Sequence, residues 1–62
     1  MEVFIARDKN GKVFIYNCKP KKGGDLWINF GMFFPIIDLP EDINPQWKDD
    51  EPIKVNLKIE KI

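Results

Sequence analysis

Apolar and polar positions alternate along three stretches of this chain, and the stretches between them are rich in proline, glycine and charge. The first stretch is "VFIARDKNGKVFIY", in which two runs of β-branched and aromatic residues flank Asp8-Lys9-Asn10-Gly11. Asp opens a type I turn, Asn tolerates its third position, and Gly can take the positive φ of a G1 bulge. The pattern predicts a β-hairpin over residues 2–7 and 12–18. With Asp8 opposite Lys12, the pairs are Arg7–Val13, Ala6–Phe14, Ile5–Ile15, Phe4–Tyr16 and Val3–Asn17. One face then carries Val3, Ile5, Val13 and Ile15, and the other carries Phe4, Ala6, Phe14 and Tyr16. Both faces are apolar, so the hairpin needs cover on both sides, from the rest of the chain or from a second subunit.

"CKPKKGGD" reads as a polar loop, since Pro20 cannot donate to a ladder and Gly23-Gly24 is a breaker pair. "LWINFGMFF" reads as a third strand, residues 26–34. Leu26, Ile28, Phe30 and Met32 share one side, Trp27, Asn29, Gly31 and Phe33 the other, and Gly31 marks a bulge or sharp bend. Residues 35–52 hold Pro35, Pro40, Pro45 and Pro52 and six acidic residues, a composition against sheet and against long helix. This segment is predicted to wrap over the surface with Ile43 and Trp47 as anchors, and Pro40 suits the start of one short helical turn. "IKVNLKIEKI" alternates Ile53, Val55, Leu57 and Ile59 with Lys54, Asn56, Lys58 and Glu60, a last strand (53–61) with one buried and one wet face. The fold class is all-β: a single domain (1–62) with a small antiparallel sheet of about four strands, curled toward a barrel, and a proline-rich wrapping loop.

Composition narrows the function. Sixty-two residues with one cysteine and no histidine exclude an internal disulfide and the usual Cys/His zinc sets. Stability must come from packing or from self-association. Serine and threonine are absent, and Cys18 has no histidine base, so no hydroxyl or thiol nucleophile is evident beyond Tyr16. The reading is therefore of a protein that is not an enzyme, with no catalytic residue, cofactor or metal assigned. The acidic residues Asp38, Glu41, Asp42, Asp49, Asp50 and Glu51 match no EF-hand spacing and read first as a solvated loop. They divide the charge all the same. Residues 1–37 carry six bases against three acids, whereas residues 38–51 carry six acids against one base. The acidic wrap is expected to lie against the basic hairpin or to meet a basic partner.

Ten bases balance ten acids, which argues against a dedicated nucleic-acid binder. The alternative of a small β-barrel that binds single strands rests on Lys19, Lys21 and Lys22 beside an exposed Trp27, and a buried Trp27 would count against it. No apolar stretch is long enough to span a membrane, and Glu2 and Arg7 interrupt any signal-peptide pattern, so the expected location is cytoplasmic. The densest apolar run, "GMFFPIID", offers Met32, Phe33, Phe34, Ile36 and Ile37. A strand points only about half of such a run inward. The remainder forms a candidate interface for a homodimer or for another protein.

At Ile5-Ala6-Arg7-Asp8, Gly11, Lys19-Pro20 and Glu51-Pro52 the chain resembles a group of short uncharacterised proteins from gut-type bacteria and their phages or mobile elements. Its motifs are structural: a hairpin start, a turn glycine, two prolines and an alternating last strand. The resemblance implies no enzyme activity and no ligand, and it favours a small accessory protein of a mobile element.

Overall fold

Two antiparallel sheets make up the computed structural model, which describes residues 1–36 and 38–57. A four-stranded sheet contains β1 (Glu2–Arg7), β2 (Val13–Tyr16), β5 (Phe33–Pro35) and β6 (Ile53–Asn56) in the order β5-β2-β1-β6. A two-stranded sheet pairs β3 (Lys21–Gly23) with β4 (Leu26–Ile28). No helix occurs among the described residues.

The hairpin register is the one that the turn chemistry predicts: Phe4, Ile5, Ala6 and Arg7 face Tyr16, Ile15, Phe14 and Val13. The Gly11 N–H donates to the Asp8 carbonyl at 2.9 Å, closing the type I turn, and Gly11 has φ +92° at the bulge. The Asp8 N–H then donates to the Lys12 carbonyl at 2.8 Å, which fixes the pairing.

Cover arrives from two directions. On the Phe4/Ala6 face, Trp27 of β4 and Trp47 of the wrap pack over Ala6 and Tyr16, with Phe4 and Phe14 beside them. On the Val3/Ile5 face, Val3, Ile5 and Val13 are buried. The wrap is tied to this region by the Ile36 N–H, which donates to the Val13 carbonyl at 3.0 Å, and by Arg7 Nε, which donates to the Pro45 carbonyl at 2.8 Å. Pro20 and Pro45, breakers by sequence, are fully buried.

Four expectations need correction. The predicted third strand, 26–34, is two strands in different sheets. The chain leaves β4 after Ile28, bends at Phe30-Gly31 and re-enters the large sheet at Phe33. A Cβ at Gly31 would meet the ends of the exposed Asn17 and Cys18 side chains, which would have to turn aside. The polar loop 18–25 contains β3, which turns back into β4 through Gly24-Asp25. Positive φ is confined to Gly24 (+61°), as in a type II′ hairpin. At Pro40 the expected single turn is present, with the Ile43 N–H donating to the Pro40 carbonyl at 2.9 Å, and it does not extend into a helix; the third correction is the barrel.

The sheet does not close into a barrel. β5 and β6 lie at opposite edges and are three and four residues long, too few strands and too short to meet. In β6 the alternation appears as half-buried Ile53 and Val55 against exposed Lys54 and Asn56. Leu57, predicted on the buried face, instead lies past the end of β6 and is 40% exposed, whereas predicted positions 58–61, Ile59 among them, lie outside the described residues, as does Ile37.

Candidate interaction surface

β5 is an edge strand, and its residues point to both faces of the sheet. Phe34 lies opposite Ile15, on the Val3/Ile5 face, whereas Phe33 lies opposite Tyr16, on the other. Phe33 packs edge-on against Phe14 (5.6 Å between ring centres) and beside Tyr16 (5.9 Å). Even so, Phe33, Phe34 and Met32 remain 54%, 56% and 63% exposed, and Phe30 is fully exposed. Leu26 and Ile28 of β4 are also about half exposed. Of the predicted interface, Met32, Phe33 and Phe34 thus stand at the surface and Ile36 is half-buried. The sequence did not single out Phe30, Leu26 and Ile28. Their shared side was visible as an alternation, but nothing in it told which side β4 would bury.

The outer edge of β5 is blunted. The Asn17 N–H donates to the Met32 carbonyl and the Ile36 N–H to the Val13 carbonyl, so Met32, Phe34 and Ile36 use their backbone toward β2. Phe33 and Pro35 therefore direct theirs outward, and Pro35 has no N–H to offer. A partner strand cannot extend a regular ladder here, so recognition at this edge has to work through side chains.

Two of the clefts that border the edge lie beside Phe33 and Phe34. One, of about 190 Å³, is lined by Met1, Val3, Ile15, Met32, Phe34 and Leu57 with Tyr16 and Asn17 at its border, and no charged side chain faces it. The other, of about 360 Å³, lies between the sheets, with Phe14, Tyr16 and Phe33 across from Leu26 and Ile28, and with Asp8 on its lining.

Asp8 is buried. Its carboxylate accepts the Trp27 backbone N–H at 3.0 Å, while the Trp27 indole N–H donates to the Arg7 carbonyl at 3.0 Å. Together with the Lys9 N–H, which donates to the Asp25 carbonyl at 3.3 Å, these bonds fasten the small hairpin to the first turn. Burial, and then the charge of Asp8, push the Tyr16 phenol up to about 12. A phenol raised from 10.0 in the unfolded chain to about 12 in the folded one holds its proton more tightly when folded. The stability this provides is intact below pH 10 and lost as the pH rises to about 12. Denaturant midpoints at increasing pH should fall across that window, in step with the phenolate absorbance of the single tyrosine.

Of the four residues considered for nucleic acid, Lys19, Lys21 and Lys22 line one cleft with Ile28, Asn29 and Phe30, but Trp27 is not on it. Trp27 is only 6% exposed, so no face of its indole is free for a base to stack on. The Lys22 ammonium stands over both Trp27 (5.3 Å) and Trp47 (4.6 Å), and Lys19 pairs with Glu51 at 2.8 Å. Lys21 is exposed. The Lys19–Glu51 pair and the Lys22–Trp47 contact both join the acidic wrap to the basic loop. Among the described residues, no three acidic, histidine or cysteine side chains gather closely enough to hold a metal ion. No helix there is long and apolar enough to cross a membrane.

Comparison of the chain with protein-family models, with curated proteins and with solved structures finds no match.

Proposed function

We propose that the protein is a non-enzymatic protein-interaction module that works as a homodimer through the apolar surface around β5. The observation that carries this reading is the joint exposure of Phe30, Met32, Phe33 and Phe34 on one edge of the sheet. With about 200 Å² to a large apolar side chain, these four expose on the order of 550 Å². A patch of that size stands at the upper end of what a monomer exposes, and such patches are often sites of interaction. A chain of 62 residues also has little core of its own, and a second copy supplies burial that no disulfide provides. The accessory role that the sequence resemblance implies fits a module with a surface for binding and no residues set out for catalysis.

Light scattering on a size-exclusion column tests this directly. A mass of twice 7.3 kDa should persist at high concentration and fall toward the monomer on dilution. A monomer at every concentration would sink the homodimer reading.

A further inference from the structure

Phe30 and the 190 Å³ apolar cleft are two halves of one contact, and this inference rests on the homodimer reading above. We propose that the phenyl ring of Phe30 from one copy seats in the cleft between Met32, Phe34 and Leu57 of the other, and that the exchange is reciprocal.

Size is the first argument. A cavity of about 150 Å³ holds one benzene molecule, so a cleft of about 190 Å³ takes one phenyl ring. Chemistry is the second. The cleft has no charged side chain on its lining, and apart from Tyr16 and Asn17 every lining residue is apolar. Such a lining offers nothing to a charged or strongly polar group and favours an apolar one.

Placement is the third. The cleft lies at the end of the large sheet where β1 and β5 begin and β2 and β6 end, and Phe30 precedes β5 by three residues, bordering a neighbouring cleft with Ile28 and Asn29. Phe30 is only two residues ahead of Met32, which lines the cleft. A projection and a recess on the same patch are what a two-fold axis can satisfy at once, each copy giving one and receiving one. The contact closes after two copies and leaves neither feature free to build a filament.

Area is the fourth. Met1, Phe30, Met32, Phe34 and Leu57 together expose on the order of 600 Å², at about 200 Å² each when open, where a standard interface takes about 800 Å² from each partner. Specific interfaces start at about 600 Å² from each partner, so these five side chains alone reach the lower end of that range.

The test uses two variants and their mixture. Phe30→Ala removes the projection and leaves the cleft, whereas Leu57→Glu puts a charge at the cleft and leaves the projection. Both side chains are exposed, so the monomer should keep its fold, checked by circular dichroism. Each variant alone should weaken the dimer by at least about thirtyfold, the scale of a buried aromatic anchor. An equimolar mixture should recover association beyond either variant alone, because one Phe30 still finds one intact cleft. If the wild type dimerises but Phe30→Ala does so equally well, this contact is wrong while the homodimer stands. Failure of the mixture to associate beyond its components overturns the contact in the same way. A monomeric wild type overturns the homodimer itself.

Discussion

Trp27→Ala should leave the chain largely unfolded at room temperature. Removing a buried tryptophan costs about 3–5 kcal/mol, and a chain of this length seldom has more than about 3–5 kcal/mol from its core. Trp27 is the residue through which the two sheets meet. Its ring covers Ala6 and Tyr16, its edge meets Trp47 at 6.4 Å and 82°, and both of its N–H groups bond to Arg7 and Asp8 at the first turn. Loss of the indole also strips Lys22 of one of the two rings beneath its ammonium. Trp27→Phe separates these contributions. It keeps a ring in the gap but leaves the Arg7 carbonyl without its donor. The cost should be about 1–3 kcal/mol, and the fold should survive. Urea denaturation followed by far-ultraviolet circular dichroism, at one fixed protein concentration, distinguishes the two. A native-like Trp27→Ala protein would show that the small sheet is dispensable to the large one.

That role of Trp27 was not legible in the sequence, and the reason is physical. Alternation told that Trp27 and Leu26 point to opposite sides. It could not tell which side would find a neighbour, because the neighbour, Trp47, lies twenty residues away in a segment without periodicity. The first hairpin was legible to the residue because its register depends on four consecutive turn residues and on nothing distant. β3 escaped notice because Lys21 and Lys22 are exposed on a two-stranded sheet, where no buried face imposes a pattern. β5 was hidden for the opposite reason: Phe33 and Phe34 are equally apolar and sit on opposite faces, so the run carries no alternation. The interface residues could be suspected from apolar excess alone. Phe30 could not be singled out, since its exposure follows from the bend between β4 and β5, which no alternation announces.

Asp8→Ala should destabilise the protein by about 1–3 kcal/mol, because it leaves the buried backbone N–H of Trp27 without an acceptor. The same substitution removes the side chain that favours the first position of the type I turn. Asp8→Asn is the informative control. It keeps an oxygen for the Trp27 N–H and a residue suited to the turn, so its stability near neutral pH should lie within about 1 kcal/mol of the wild type. What it loses is the charge. The Tyr16 phenol is held at about 12 first by burial and second by the Asp8 carboxylate. In Asp8→Asn the phenol should therefore titrate below about 12 but still above the ordinary value of 10.0, since the burial is unchanged. The pH window in which stability declines should narrow from its upper end by the same amount. A titration of phenolate absorbance in both proteins reads this shift from the single tyrosine. An unmoved Tyr16 would mean that the Asp8 charge does not reach the phenol. A large loss of stability in Asp8→Asn at neutral pH would mean that the carboxylate's charge, rather than its hydrogen bond, fastens the small hairpin to the turn.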